Sequence, residues 1–339
     1  MEYENIFKNR NFLIGLGIFL FIVIGIVAFN LGSSEKNFSS LPLEGDYSNI
    51  VINSKGAYLL KDRYLVRYSG DGKETLRINL PAQGGSILGD EKTIVYYSSN
   101  NIYFLDKSGK IKYSEELNFS IETCVLKEDK VLALGKSAYA ILDTKGKVLK
   151  TQGIKGRVLV GDLSLDKGVI TSIIKKKEDD NEVNSFINIV DINTLEDRKM
   201  TFPREIIFFN KILEDGKIFT VSNTEARTME GDFILGKKKI RDFKAAGIRK
   251  GYIYILEDDK FGVYDSNLKN LKKMELKGDF KSLAISKDKV LLYNSKGFAQ
   301  YKGGEIRDYI ETEEIYNAIV RPEDIFFIHS NSISNGVNN

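Results

Sequence analysis

A repeat of about 37 residues runs through most of this chain and restricts the folds that are open to it. Gly72, Gly109 and Gly146 lie 37 residues apart, each at the end of a short polar turn. Residues 130–150 predict a strand, a short turn, a second strand, a tight Asp-Thr-Lys-Gly turn and the start of a third strand. A period of this length with about four short strands per unit is typical of a β-propeller, in which each unit forms one blade.

The strand before the tight turn is apolar on both of its faces. In four units, the residues two and four positions before the Asp of this turn are large and apolar. They are Phe104 and Ile102 before Asp106, Ile141 and Tyr139 before Asp143, Ile189 and Ile187 before Asp191, and Val263 and Phe261 before Asp265. The residue directly before each Asp is also large and apolar. Such a strand is buried on both sides. The Asp then starts a turn, because its carboxylate accepts N–H groups two residues on and a following Gly tolerates positive φ.

The number of blades follows from an earlier turn, which lies between the first two strands of each unit. It occurs eight times, at residues 54–56, 90–92, 128–130, 166–168, 214–217, 249–251, 287–289 and 322–324. Only seven later turns follow, the last near residues 302–304. We therefore expect an all-β propeller of eight four-stranded blades. Residues 315–333 would supply the inner strands of blade eight, and residues 38–43 its outer strand. A seven-bladed ring with a C-terminal appendage is the alternative.

The first part of the chain predicts a single membrane anchor. Residues 12–29 run for 18 positions without a polar side chain, which as a helix spans about 27 Å. A signal peptide has a shorter apolar core and a small-residue cleavage site, and a buried helix of a soluble domain has polar residues on one face. The predicted organisation is a cytoplasmic segment (1–10), a transmembrane helix (11–31), a linker (32–46), the propeller (47–330) and a polar tail (331–339).

Charges beside the apolar run predict its orientation. Lys8 and Arg10 precede it, whereas Glu35 and Lys36 follow it. Basic residues favour the cytoplasmic side of a membrane, so the N-terminus is expected in the cytoplasm and the propeller outside it.

The composition argues against several classes of function. The chain has 50 basic and 47 acidic residues, a balance that is not typical of a nucleic-acid-binding protein. Its single cysteine, Cys124, allows no disulfide within the chain and is expected to be a small buried hydrophobe. Its single histidine, His329, cannot form a multi-histidine metal site, and no nucleophile motif accompanies it. Asp106 and Asp143 are explained by their turns. We therefore expect no catalytic, cofactor-binding or metal-binding residues, no cofactor and no enzymatic activity.

Two local patterns depart from the repeat. Residues 174–184 form a charged insertion, interpreted as a solvated turn or as a contact or cation site. Its acidic residues are adjacent rather than alternating, unlike those of a calcium loop. Residues 231–238 nearly match a phosphate-binding loop, but Lys238 replaces the hydroxyl residue of that motif, and the pattern predicts a hairpin turn instead.

The turn motifs resemble the repeats of bacterial quinoprotein-like (PQQ-like) propellers. The matching residues are Asp106, Gly109, Lys110, Asp143, Gly146 and Lys147. In that family a tryptophan after the Gly-Lys turn docks neighbouring blades, but this chain contains no tryptophan, so the catalytic residues of the quinoprotein dehydrogenases are not carried over. The layout of one N-terminal span and an outward propeller resembles that of membrane-anchored propellers of Gram-positive bacteria. It is also similar in plan to the tethered propeller of the outer-membrane assembly machine.

Three functional hypotheses follow. The first is a non-enzymatic, membrane-tethered scaffold that binds an envelope protein or polymer through the loops of the ring. The second is an extracytoplasmic enzyme that uses a cofactor or acidic residues at the ring centre. The third is a sensor that signals through the span, although its cytoplasmic segment, residues 1–10, is too short to fold.

Overall fold

The computed structural model describes residues 49–175, 182–321, 324–330 and 332–335. The predicted cytoplasmic segment, transmembrane helix and linker, and the expected strand at residues 38–43, lie outside these described residues. Within the described part of the chain, no helix has the length and apolar character needed to cross a membrane.

The described residues form strands that follow one another around a ring. Blade one contains β1 (Ile50–Asn53), β2 (Gly56–Lys61), β3 (Tyr64–Tyr68) and β4 (Glu74–Asn79), and blade two β5 (Ser86–Gly89), β6 (Thr93–Ser98), β7 (Asn101–Asp106) and β8 (Ile111–Glu116). Blade three contains β9 (Ile121–Lys127), β10 (Lys130–Gly135), β11 (Ala138–Asp143) and β12 (Val148–Gly153), and blade four β13 (Arg157–Leu163), β14 (Lys167–Lys175), β15 (Val183–Asp191) and β16 (Asp197–Pro203).

The second half of the ring repeats this plan. Blade five contains β17 (Ile207–Ile212), β18 (Ile218–Ser222), β19 (Glu225–Glu230) and β20 (Phe233–Lys239), and blade six β21 (Phe243–Arg249), β22 (Tyr252–Glu257), β23 (Lys260–Tyr264) and β24 (Asn270–Glu275). Blade seven contains β25 (Ser282–Ile285), β26 (Val290–Asn294), β27 (Gly297–Lys302) and β28 (Glu305–Glu311), and blade eight β29 (Asn317–Val320), β30 (Ile325–Ile328) and β31 (Ile333–Asn335).

Each blade is an antiparallel sheet whose strands pair in chain order. First strands contact the first strands of neighbouring blades, as β5 does with β9 and β21 with β25, so first strands surround the central channel and fourth strands lie outermost. Because the strands alternate in direction, turns after the first and third strands share one face of the ring. We call this face the first-turn face. The other face, which carries the connections between blades, is called the opposite face.

Eight apolar clusters hold the ring together, one between each pair of neighbouring blades. The cluster between blades eight and one joins Phe326, Ile328 and Ile333 to Ile50 and Ile52. The ring therefore closes with eight blades, as the eight first turns predict, and the seven-bladed alternative is wrong. Burial explains why the third strand of a blade is apolar on both faces. In β11, the residues Tyr139, Ala140, Ile141 and Leu142 are all fully buried between two sheets.

Blade eight extends further along the chain than its sequence indicates. Its strand β31 lies inside the segment expected to be a polar tail. Ile333 is the reason, since it is fully buried and packs against blade one, and such burial stabilises a strand that is otherwise polar.

Polar contacts on the first-turn face also join blade eight to the start of the ring. Arg321, which follows β29, forms an ion pair with Glu91 in the first turn of blade two. The second carboxylate oxygen of Glu91 accepts the backbone N–H of Ser54 in blade one, at 2.8 Å. One carboxylate thus connects the first turns of three blades.

The tight turn after the third strand takes the form that its Asp and Gly predict. The Oδ1 atom of Asp143 accepts the backbone N–H groups of Lys145 and Lys147, both at 2.9 Å. Gly146 then adopts a φ of +82°, and the register of β11 and β12 shifts by a bulge between Ile141 and Leu142. A turn closed by a left-handed residue and followed by a bulge matches the twist of an antiparallel hairpin.

In two blades a leucine occupies the left-handed position that glycine holds elsewhere. Leu195 has a φ of +62° and Leu268 a φ of +60°. The two differ in environment, because Leu195 is exposed whereas Leu268 is buried in the cluster between blades five and six. The side chain of Leu268 therefore offsets the strain of its backbone by packing, and that of Leu195 does not.

We expect Leu195→Gly to stabilise the protein by about 1 kcal/mol, because a left-handed φ costs an L-residue about that much and glycine almost nothing. Leu268→Gly is the matched control, and we expect it to destabilise the protein by about 1–2 kcal/mol, since it also removes a buried side chain. Urea unfolding followed by tyrosine fluorescence measures both. Changes of equal sign in the free energy of unfolding of the two variants would contradict this explanation.

Outer-strand side chains pack against the turn glycines of the next blade, where the quinoprotein repeats use tryptophan. A Cβ atom added to Gly109 would lie 2.7 Å from Ile78 and 3.0 Å from Leu76, both on β4. A Cβ atom on Gly146 would lie 3.0 Å from Tyr113 on β8. Apolar side chains thus perform this interblade contact without any tryptophan.

Candidate functional site

The central channel opens into a wide basin on the first-turn face. The basin encloses about 1040 Å³ and is lined by the first strands of blades three to eight and by the first turns of blades three to five. No single blade forms it, so its lining residues are far apart in sequence and meet only because the first strands converge on the axis.

The basin presents apolar side chains to solvent. Leu165, in the first turn of blade four, is 51% exposed, and Val320, at the end of β29, is 44% exposed. Between them lie the partly buried Ile248, Leu283 and Ile285 of blades six and seven. An exposed apolar area on a rigid frame is typical of a protein-binding surface.

Acidic residues dominate the charge of the basin. Its lining includes five carboxylates and two lysines: Glu128, Asp162, Asp166, Glu214 and Asp215, with Lys127 and Lys211. The mostly buried Asp162 pairs with Lys211 at 2.8 Å and accepts the backbone N–H of Ile212 at 2.8 Å, so it fixes blade four to blade five. No ion pair to a described residue engages Glu128, Asp166 or Glu214, and these three leave the side of the basin formed by blades three to five negative.

Basic side chains around the same face bind backbone oxygens of the next blade. The Nζ of Lys150 donates to the carbonyl oxygen of Leu195, that of Lys167 to Gly216 at 2.7 Å, and the guanidinium of Arg249 to Lys287 at 2.8 Å. We call these contacts the interblade ties. The contacts of Lys167 and Arg249 join first turns of neighbouring blades around the channel, and that of Lys150 joins the outer parts of blades three and four.

Asp106 and Asp143 lie in tight turns and not at the ring centre. Asp106 accepts hydrogen bonds from Ser108 and from the backbone N–H of Lys110, and it pairs with Lys112 at 3.2 Å. Partial burial opposes ionisation of Asp106, but the hydrogen bonds from Ser108, Lys110 and Lys112 outweigh it and lower the pKa to about 2. The turn role predicted for these residues is confirmed.

Replacement of Asp106 by asparagine should reduce stability in a pH-dependent way. A carboxylate whose pKa is lowered on folding stabilises the folded state above its unfolded pKa, and this stabilisation is lost as the pH falls through the folded pKa. We expect Asp106→Asn to lower the free energy of unfolding by about 1 kcal/mol at neutral pH, allowing for solvent screening of a partly exposed group. The difference from wild type should shrink as the pH falls from about 5 to about 3.

Urea unfolding over this pH range measures the effect. Asp288→Asn is the matched control, because Asp288 is exposed and lies 3.7 Å from Lys250, and its effect should be small. A difference between wild type and Asp106→Asn that stays constant with pH would contradict the role of the charge.

The single histidine and the single cysteine have structural surroundings. His329 is buried, with Nδ1 3.1 Å from the carbonyl oxygens of Glu313 and Glu314 and Nε2 2.7 Å from the hydroxyl of Ser334. These contacts tie β31 to the segment before β29. Cys124 is only partly buried and packs against the cluster between blades two and three, where burial raises the pKa of its thiol.

The structure describes only the ends of the insertion predicted at residues 174–184. Residues 174–175 end β14 and residues 183–184 begin β15, and residues 176–181 lie outside the described part of the chain. The hairpin turn predicted at residues 231–238 is confirmed at residues 231–232, between β19 and β20, whereas residues 233–238 belong to β20 itself. Among the residues that the structure describes, no group of three or more His, Cys, Asp or Glu side chains is arranged to hold a metal ion.

The basin itself was not predicted from the sequence. One signal was available, since Leu165 is an apolar residue inside the otherwise polar turn Ser164-Leu165-Asp166. The periodicity indicates which residues are buried between blades, but it does not indicate which turn residues meet at the end of the channel.

Solved structures share this fold at low sequence identity. The crystal structure of BamB from Moraxella catarrhalis matches with a TM-score of 0.61 and 14% identity, over 88% of this chain and 99% of that one. Sqt1 from Saccharomyces cerevisiae matches with a TM-score of 0.61 and 11% identity, over 88% and 100% of the two chains. The WD40 domain of Neurospora crassa Pan2 matches with a TM-score of 0.52 and 9% identity, over 89% and 95%. No protein-family profile and no curated protein sequence matches the chain.

Proposed function

We propose that this protein is a membrane-tethered, extracytoplasmic scaffold that holds a protein partner in the basin on the first-turn face and catalyses no reaction. The observation that carries the proposal is the basin, where exposed apolar side chains lie beside the carboxylates of blades three to five. A partner segment with apolar side chains flanked by lysine or arginine would complement both properties.

Rigidity of the ring supports this role. The interblade ties and the eight apolar clusters fix the turns around the basin, so little conformational entropy is lost when a partner binds. Two of the carboxylates, Asp106 and Asp162, are already engaged in a turn and in an interblade contact.

The proposed membrane anchor is inferred from the sequence alone. The apolar run at residues 12–29 would anchor the chain, and the basic residues before it would keep the N-terminus in the cytoplasm. The propeller would then meet its partner outside the cytoplasm. Proteolysis of intact spheroplasts tests this placement, and we expect external protease to remove the propeller, whereas a cytoplasmic control protein survives. Protection of the propeller until the cells are lysed would contradict the proposed location.

Site-specific photo-cross-linking in the native membrane tests the partner site. A photoreactive residue at Leu165 or at Val320 should cross-link to the same protein, identified by mass spectrometry. Leu271 on outer strand β24 is the matched control, since it is 49% exposed but lies far from the channel axis. We expect no such product from that position.

Charge reversal on the rim provides a second measurement. Glu128→Lys together with Glu214→Lys should reduce the yield of the product from Leu165 by about tenfold, because it removes the attraction for a basic partner and adds repulsion. Absence of a common product from Leu165 and Val320, or a small molecule purified with the protein instead, would overturn the proposed scaffold role.

A further inference from the structure

The outer strand of blade five differs from every other outer strand that the structure describes. It begins with Phe233, Ile234 and Leu235, which are 77%, 40% and 39% exposed. The other described outer strands, β4, β8, β12, β16, β24 and β28, read ETLRIN, IKYSEE, VLKTQG, DRKMTFP, NLKKME and EIRDYIE, with no run of three apolar residues. Charges on edge strands normally prevent unwanted pairing, and the first half of β20 lacks them.

One edge of β20 is also free to pair. The strand stands at the end of its sheet and is hydrogen-bonded to β19 alone among the described strands. Its outer N–H and C=O groups are therefore available to another strand, in two short runs separated by a bulge at Leu235. A free, apolar sheet edge is the template that extended peptides use when they add a strand to a domain.

The second half of β20 is basic. Lys237 and Lys239 are exposed, and Lys237 lies 3.4 Å from Glu225 while keeping 54% of its side chain in solvent. At the other end, the turn before Phe233 carries Glu230 and Asp232. The edge thus runs from an acidic turn through three apolar residues to exposed lysines.

This order of charges distinguishes between possible occupants. An anionic membrane surface would meet Glu230 and Asp232 beside the most exposed apolar residue, Phe233, and would be repelled there. An antiparallel peptide strand fits better, because its N-terminal half would lie against Lys237 and Lys239 and its C-terminal half against Phe233 and Leu235.

We infer that β20 is a docking edge for an extended segment of a protein partner, acidic in its N-terminal half and apolar at alternate positions in its C-terminal half. This inference deepens the proposed scaffold function and rests on it. The segment adds a fifth strand to blade five, at a site on the rim of the ring and separate from the basin.

Fluorescence anisotropy with the full-length protein in detergent tests the inference. The probe is a labelled synthetic peptide of about eight residues, with glutamates in its N-terminal half and alternating valine and threonine in its C-terminal half. A second peptide carries lysines in place of the glutamates. We expect wild-type protein to prefer the acidic peptide by about tenfold, and Phe233→Ala to weaken its binding.

Charge reversal separates docking from loss of folding. Lys237→Glu with Lys239→Glu should reverse the preference, so that the variant binds the lysine peptide about tenfold more tightly than the acidic one. An unfolded variant would not acquire this preference. Lys272→Glu with Lys273→Glu on the neighbouring outer strand β24 is the matched control and should leave the preference unchanged.

Three results would overturn the inference. They are equal binding of the two peptides, co-sedimentation with anionic vesicles that depends on Phe233, and concentration-dependent self-association that depends on Leu235. The proposed scaffold function is tested separately. If Lys237→Glu with Lys239→Glu binds neither peptide selectively but still gives the cross-linked product from Leu165, the docking edge is wrong while the scaffold stands.

Discussion

Gly56→Ala is expected to destabilise the protein by at least about 3 kcal/mol or to prevent it from folding. Gly56 begins β2 with a φ of +144°, a conformation that residues with a side chain rarely adopt. A Cβ atom at this position would lie 2.2 Å from the backbone oxygen of Tyr68 on β3. That oxygen cannot move alone, because Tyr68 is paired with Ala57 on β2. Tyr58, which follows Ala57, is fully buried and holds β2 in place.

Gly251→Ala is the matched control for this substitution. Gly251 lies in the corresponding first turn of blade six, with a φ of +74°, but a Cβ atom there would meet no atom within 4 Å. Gly251→Ala should therefore lower the free energy of unfolding only by the backbone strain, about 1 kcal/mol. Thermal unfolding followed by circular dichroism compares the two variants, and equal melting temperatures would show that the close contact with Tyr68 does not limit the turn.

Phe327→Ala is expected to cost about 3–5 kcal/mol, because it leaves a large cavity in the core of the ring. Phe327 lies on β30 of blade eight, is fully buried, and packs its ring 4.8 Å from that of Phe298 and 5.4 Å from that of Tyr293, both in blade seven. Loss of these aromatic contacts adds to the loss of buried area. The same urea unfolding experiment measures this cost.

Phe233→Ala is the control for Phe327→Ala, since it makes the same chemical change on an exposed strand and should alter stability by less than about 0.5 kcal/mol. A wild-type unfolding curve for Phe327→Ala would mean that blade eight does not unfold together with the rest of the ring. The closure of the ring by the C-terminal blade would then contribute little to its stability.

Features that depend on neighbouring residues could be predicted from the sequence. The turn at Asp143 and Gly146 is encoded within five residues, and the burial of Tyr139 and Ile141 follows from an apolar pattern on one strand. The eight blades could be counted for the same reason, since each first turn is a local signal.

Features that depend on which blades meet, or on how much solvent reaches a strand, could not be predicted. Leu195 takes a left-handed conformation without any glycine to indicate it, because the geometry of the hairpin overrides the preference of the residue. Leu165 and Val320 belong to different blades, and only closure of the ring brings them to one basin. The exposed start of β20 was predicted only as part of a hairpin turn at residues 231–238, and a run of apolar residues does not reveal that it lies on an edge strand.

The interblade ties have a consequence for the chemical reactivity of the lysines. A lysine amine attacks acylating reagents only when it is accessible and unbonded, yet Lys150 and Lys167 both donate to a carbonyl of the next blade. The exposed Lys239, in contrast, remains open to such reagents. Acylation of Lys150 and Lys167 would therefore follow the separation of blades three, four and five, and their labelling would report on the integrity of the ring inside a cell, where unfolding curves cannot be recorded.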